Sequence, residues 1–231
     1  MPAVLITGAS RGLGFEFARQ YVLEGWRVIA CCRKPEEAIA LKSLEPTARD
    51  MVSVVTMDVT DNDTIRNAAS TLKDVALDIL INSAGVAGVP EQCAGRIDYA
   101  SWARVLDVNT MGPLRVLEAF TDNLARSKRR LVMTMTSGMG SLADNTSGGS
   151  IAYRSSKAAV NMVMRSASID LAPRRITCVL INPGWVKTDM GGPNATLSPQ
   201  QSVSAMQRLI ETLGPDDSGK FYNYDGREYP W

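Results

Sequence analysis

Short, continuous apolar runs recur along this chain with helical-period segments between them, and no other feature narrows the fold as much. The runs lie at residues 3–6, 27–32, 51–57, 79–81, 130–135 and 176–181, and an amphipathic segment at 12–24 follows the first. Runs of this length, apolar on both faces, describe parallel strands covered on each side by crossover helices. The expected class is therefore α/β, a doubly wound parallel sheet in three αβα layers. In such sheets ligands bind beyond the carboxyl ends of the strands, so the residues that end each run are the candidates for chemistry. A segment at 189–198, rich in Gly, Pro, Asn and Thr, reads as a surface loop, and 199–213 reads as a helix.

The first run ends in Thr7-Gly8-Ala9-Ser10-Arg11-Gly12-Leu13-Gly14. A glycine-rich strand-to-helix turn lets backbone N–H groups approach a pyrophosphate at a helix N-terminus, where the dipole favours an anion. There is no Gly-Lys-Ser/Thr ending, which disfavours a nucleoside triphosphate. The second run ends Cys31-Cys32-Arg33-Lys34. A carboxylate there would take the ribose 2′-hydroxyl of NAD, whereas an arginine suits the 2′-phosphate of NADP. Arg33, with Arg11 inside the glycine turn, favours NADP(H) over NAD(H).

Composition removes several alternatives. Histidine is absent from all 231 residues, which excludes Ser-His-Asp hydrolysis, Cys-His proteolysis and histidine-based zinc sites. No metal site is expected. The four cysteines, Cys31, Cys32, Cys93 and Cys178, show no disulfide or metal spacing and read as reduced structural thiols. A net charge of +1 provides no field for nucleic acid, and no apolar stretch reaches the roughly 20 residues that span a bilayer. Neither nucleic acid nor membrane is expected as a partner, and a cytoplasmic location is expected.

Tyr153-Arg154-Ser155-Ser156-Lys157 sets a phenol and an ammonium four apart on a helix face. A nearby cation stabilises a phenolate and moves tyrosine toward the working range of a general acid/base. Ser137 follows the fifth run, Asn82-Ser83-Ala84-Gly85 ends the fourth, and Asn109 lies in a helical segment between these two runs. With Thr7-Gly8-x-x-x-Gly12-x-Gly14 and Pro183-Gly184, this combination resembles the classical short-chain dehydrogenases/reductases over nearly the whole chain. Residues 182–190 and 219–231 look most like the C-factor-type reductases.

The resemblance implies a Rossmann-type sheet of about seven strands in one domain, 1–231, with a cofactor half at about 1–135 and a catalytic and substrate half at about 136–231. It implies a catalytic tetrad of Asn109, Ser137, Tyr153 and Lys157. It implies cofactor contacts from Gly8, Ser10, Arg11, Gly12, Leu13, Gly14 and Arg33, and from Asp58 and Val59 beside the adenine. Asn82, Ala84 and Gly85 would line the central groove, Tyr153 and Lys157 would meet the nicotinamide ribose, and Pro183, Gly184, Val186 and Thr188 would hold the nicotinamide end. One departure from the family pattern is Ser83, which stands where a second Asn is usual.

The expected reaction is hydride transfer between the nicotinamide and a carbonyl or alcohol, with Tyr153 as the proton donor or acceptor. Segments 86–99, 138–152 and 185–197 carry few fixed charges and point to a small to medium, largely apolar substrate. A dinucleotide-binding sensor or C-factor-like signalling protein with little turnover is the alternative. A sugar-nucleotide epimerase shares Y-x-x-x-K but needs about 100 further residues. The family usually forms dimers or tetramers, and a homo-oligomer is expected through helices around 102–125 and 155–171. Their apolar faces could equally be intramolecular core.

Overall fold

A computed structural model describes residues 1–44 and 51–231. Its strands are β1 (Ala3–Thr7), β2 (Arg27–Cys32), β3 (Val52–Thr56), β4 (Ile79–Asn82), β5 (Leu131–Met135), β6 (Thr177–Asn182) and β7 (Phe221–Asn223). All pair in parallel in the order β3-β2-β1-β4-β5-β6-β7. The helices are α1 (Gly12–Leu23), the single turn α2 (Ile39–Lys42), α3 (Asn62–Thr71), α4 (Tyr99–Leu106), α5 (Gly112–Ala125), α6 (Ile151–Asp170) and α7 (Pro199–Thr212). The six apolar runs thus become six strands. β7, only three residues long, adds the seventh that the family resemblance implies.

Strand residues alternate between two cores, as the two-residue side-chain period requires. Leu5, Ile29, Leu80 and Val132 face a layer that includes Ile65 of α3, Phe120 of α5 and Met164 of α6. Val4, Ile6, Ile81 and Met133 face Phe17 and Tyr21 of α1 and Met206 of α7. The central strands are buried on both faces, which explains why their sequences are largely apolar. β3 lies at the sheet edge and is only half-buried.

The apolar helix positions weighed for assembly are resolved by this packing. Val105, Val108, Leu117, Phe120, Val160, Met164 and Ala167 are buried within the chain. The exposed apolar residues of that layer are others: Tyr99, Met111, Met162 and Ile169.

The order reverses between β1 and β4. From β1 the chain winds outward to β2 and β3, and from β4 it winds the other way, so the connecting segments part above these two strands. The Thr7 hydroxyl holds the point of parting, accepting from Ser83 N at 3.0 Å and Ala84 N at 3.1 Å. The backbone after β4 is thus anchored by the Thr7 side chain. Between α4 and α5, residues Asp107–Met111 widen into a π-helical turn. Such single-turn bulges reorient side chains within a helix, and this one carries Asn109.

Candidate active site

A cleft of about 1000 Å³ opens above the carboxyl ends of the strands. At one end lies the glycine turn. Gly8 has a φ of +65°, and a Cβ there would stand 2.8 Å from the Ala84 Cα. A Cβ on Gly14 would stand 2.3 Å from the Gly8 carbonyl oxygen. The first glycine thus brings β1 against β4, and the third lets α1 start directly on the turn. α1 has no side-chain cap and no acidic residue in its first turn, leaving its N-terminus an electropositive wall of the cleft.

Beyond the glycines, Arg33, Asp58 and Val59 form the outer end of the cleft, with Arg104 from α4 beside them. Asp58 is a carboxylate at this end of the cleft. Its Oδ1 already accepts from the Thr60 N–H at 2.9 Å and the Thr60 hydroxyl at 2.8 Å. These bonds, with the charges of Arg33 and Arg104, outweigh its partial burial and hold its carboxyl below the usual range. Arg11 reaches across the mouth to Asp189 at 2.6 Å, both side chains being exposed. Sequence reading had not singled out Arg104, because a cation on a helix surface carries no positional signal.

At the other end the candidate catalytic groups converge. Tyr153, in the first turn of α6, lies beside Ser137, which follows β5, closely enough for the serine hydroxyl to influence its phenol. Ser137 Oγ also accepts from Met139 N at 3.1 Å, which fixes its rotamer. Burial pushes the Tyr153 phenol above its ordinary value, and the nearby Ser137 hydroxyl pulls it back in part. Lys157 lies one turn further along α6, with its Nζ 5.8 Å from the Tyr153 ring centre. Its ammonium donates to the Met135 carbonyl at 2.9 Å, and burial lowers its pKa to about 8.

Asn109 is buried and engaged on both ends of its amide. Its Oδ1 accepts from Val86 N at 2.9 Å, and its Nδ2 donates to Val86 O at 2.8 Å and Ser156 Oγ at 3.0 Å. It therefore braces the segment after β4 against α6. Gly85 is the point of closest approach between these groups: a Cβ there would lie 3.4 Å from Asn109 Oδ1 and 3.9 Å from Lys157 Nζ.

Of the expected cofactor contacts, Gly8, Ser10, Arg11, Gly12, Leu13, Gly14, Arg33, Asp58, Val59, Ala84, Gly85, Tyr153, Lys157, Pro183, Gly184, Val186 and Thr188 all line this cleft. Asn82 requires a correction. As the last residue of β4 it is buried, and its Nδ2 donates to Thr134 Oγ1 at 3.2 Å and the Pro113 carbonyl at 3.4 Å. Its side chain faces the interior, and its neighbour Ser83 lines the groove instead.

The rim of the catalytic end is built from the segments after β4, β5 and β6, including Val86, Val89, Pro90, Met139, Trp185 and Met190. Leu142, in the 138–152 segment, points to solvent. Tyr229, which it had missed, enters from the C-terminal segment and donates to Asp144 at 2.8 Å. Gln92 had been missed as well. It is buried on the rim, with bonds to the start of α6.

Cys31, Cys32 and Cys178 are buried, and burial pushes all three thiols up, Cys178 to about 12; Cys93 is exposed. Among the described residues no group of three His, Cys, Asp or Glu side chains comes together, and no helix is long and apolar enough to cross a membrane.

Known proteins resemble the chain in sequence and in fold. C-signal of Myxococcus xanthus is 53% identical over 156 residues, 67% of this chain and 93% of that protein. The 1-hydroxy-2-glutathionyl-2-methyl-3-butene dehydrogenase of Rhodococcus sp. (strain AD45) is 35% identical over the full length of both. Among solved structures, the carbonyl reductase Sniffer of D. melanogaster superposes with a TM-score of 0.93 at 31% identity, covering all of both chains. The NADPH-bound carbonyl reductase from chicken fatty liver gives 0.92 at 32% identity, covering 100% of this chain and 99% of the other. The short chain dehydrogenase family profile matches residues 2–197. With its glycine turn, its seven-stranded parallel sheet and the family profile over most of its length, the chain belongs to the short-chain dehydrogenase/reductase family of NAD(P)-dependent oxidoreductases.

Proposed function

We propose that this enzyme is an NADP(H)-dependent carbonyl reductase acting reversibly on small to medium, largely apolar carbonyl compounds. The observation that carries the reading is the meeting of Ser137, Tyr153 and Lys157 at one end of a cleft whose other end is a glycine cradle flanked by arginines. The cradle fits a dinucleotide, because the close packing at Gly8 and Gly14 starts α1 directly on the turn and leaves its uncapped N-terminus facing the cleft. Arg11 and Arg33 favour a 2′-phosphate, and Asp58, held by Thr60, is poorly placed to take a ribose hydroxyl. Structures of similar carbonyl reductases contain NADP or NADPH, which supports the same preference. The chain works as one domain, with its cofactor half at about 1–135 and its catalytic and substrate half at about 136–231.

A bound nicotinamide supplies or accepts the hydride. In the reductive direction Ser137 Oγ–H donates to the substrate oxygen, and Tyr153 transfers its phenolic proton to that oxygen as charge develops there. Burial makes the phenolate costly on its own. Lys157 opposes that cost while it is charged, and it binds the nicotinamide ribose. Asn109 holds Val86 and Ser156 in register, and the second lone pair of its Oδ1 suits a water that returns the proton from solvent toward Lys157. Exclusion of water by the apolar rim strengthens each of these interactions.

The experiment is a panel of aldehydes and ketones with NADPH and NADH, followed at the nicotinamide absorbance, with Tyr153→Phe as control. Turnover by the native chain and not by the variant supports the reading. NADH preferred over NADPH overturns the cofactor assignment. The identity with C-signal keeps a second reading in view, a dinucleotide-binding signalling protein, which predicts NADPH binding without turnover of any compound in the panel. For assembly we infer a homo-oligomer, dimer or tetramer, formed through Tyr99, Met111, Met162 and Ile169, apolar residues exposed on α4, the π turn and α6.

A further inference from the structure

Gln92 lies in the irregular segment between β4 and α4, where most of its neighbours are exposed, yet it is itself only 7% exposed. Its side chain makes three hydrogen bonds. Oε1 accepts from the backbone N–H of Tyr153 at 2.9 Å, and Nε2 donates to the carbonyls of Ala87 at 2.7 Å and Val89 at 2.6 Å. Its own carbonyl accepts from Ile151 N at 2.9 Å.

These bonds answer a specific deficit at the start of α6. The first four N–H groups of a helix have no partner within it and are normally met by a side chain at the N-cap. The N-cap residue here is Ser150, which has a left-handed φ of +46° and makes no side-chain cap. Gln92 replaces that cap from 61 residues away in sequence, meeting the N–H of the first helical residue through its backbone and that of the third through its side chain. The third residue is Tyr153. On its other side the Tyr153 carbonyl accepts from Ser156 Oγ at 2.7 Å, and Ser156 accepts from Asn109, which grips Val86. The catalytic turn of α6 is thus clamped to the rim loop at both ends, by Gln92 on the Tyr153 N–H and through Asn109 on the Tyr153 carbonyl.

We propose that Gln92 is a positioning residue for Tyr153: it supplies the missing cap of the catalytic helix and locks that helix to the 86–92 rim, so that the phenol stays on Ser137 and the substrate oxygen. The proposal rests on the catalytic reading of Tyr153 given above. The deletion also has a structural cost, because it orphans one donor and two carbonyls beside the cleft. The test therefore needs readouts beyond stability.

Gln92→Met keeps length and shape and removes all three side-chain bonds. The expected result is a fall in kcat of about tenfold or more, since small displacements of a proton-transfer group cost that much or more. NADPH affinity, read directly by nucleotide fluorescence, should stay within about threefold, because the glycine cradle and Arg11 lie at the far end of the cleft. A kcat within about twofold of the native enzyme overturns the proposal. So does a parallel loss of NADPH binding, which would mean that Gln92 merely holds the fold.

Backbone amide exchange on the full chain separates this proposal from the enzymatic reading and does not need turnover. In the native protein the Tyr153 N–H should be protected although it has no partner within its helix. In Gln92→Met it should exchange about tenfold faster or more, while amides near Val160 and Met164 are unchanged. Equal exchange in both proteins overturns the proposal even if the enzyme is active. Protection lost in the variant with no carbonyl compound reduced sustains the capping of α6 by Gln92 and overturns its part in catalysis together with the proposed function.

Discussion

At the scale of single residues, the site sets two buried ionisable groups against each other. Lys157 and Tyr153 are both moved by burial away from their charged forms, Lys157 down to about 8 and Tyr153 upward. For Lys157 the folded value is below the unfolded one of 10.5, so between about pH 8 and pH 10.5 the unfolded chain binds more protons. Stability therefore rises with pH across that window, and the penalty is fully present below it. Lys157→Met should consequently stabilise the protein at pH 7, by up to about 3 kcal/mol at 1.36 kcal/mol per unit, while abolishing turnover. Denaturant unfolding at pH 7 and at pH 10.5 checks this, with the gain expected to shrink at the higher pH. Tyr153→Phe carries a separate expectation: turnover falls by about 10² to 10⁴, the usual contribution of proton transfer, with NADPH affinity nearly unchanged. The sequence made these residues legible because Y-x-x-x-K, Ser137 and the glycine turn are local patterns with a chemical reason. Gln92 was not legible, since a glutamine between Glu91 and Cys93 reads as solvated surface and only long-range packing gives it partners. Asn82 was misplaced because a motif gives position in sequence but not which side of a terminal strand residue meets the groove.

At the scale of elements, the cleft is formed by segments that follow neighbouring strands, and its cationic end shows how they compete. Arg11, after β1, is paired with Asp189, after β6, across the mouth. An exposed pair of this kind contributes between about 0 and 1 kcal/mol, so a phosphate can displace the carboxylate at little cost. Arg11→Ala and Arg33→Ala should each weaken NADPH binding by about tenfold at low salt and leave NADH nearly unaffected. Asp189→Asn should leave NADPH binding equal or tighten it by up to about threefold, because Arg11 is released. Titrations of both nucleotides at low and high ionic strength check this, and the NADPH preference should narrow as salt rises. The strands themselves were readable because burial on both faces leaves unbroken apolar runs. β7 was not readable in that way, because Phe221-Tyr222-Asn223 is too short to form a run and is held by pairing with β6. The π turn was not readable either, although Asn109 and Thr110 within it bind Ser156 of α6.

At the scale of the whole molecule, the cleft joins distant parts of the chain, from Gly8 to Tyr229, so a ligand there is coupled to global stability. A ligand that binds only the folded state stabilises it by RT ln(1 + [L]/Kd), about 2.7 kcal/mol at 100 times Kd. For a chain of this length each kcal/mol raises the unfolding midpoint by about 2–4 °C. NADPH at 100 times its Kd should therefore raise Tm by about 5–10 °C. NADH at the same concentration, if bound about tenfold more weakly, loses close to 1.4 kcal/mol of that effect, or about 3–6 °C. Thermal unfolding with each nucleotide, beside the same scan on Arg11→Ala, decides whether the arginines discriminate between them. A larger shift with NADH would place the 2′-phosphate outside the arginine end and remove the basis for the NADP(H) assignment. An equal shift with both would mean that recognition lies in the glycine cradle and the nicotinamide end alone. The same scan separates binding from catalysis: Tyr153→Phe should keep most of the NADPH shift, because it retains the cradle, the arginines and Lys157 and lacks only the phenolic hydroxyl.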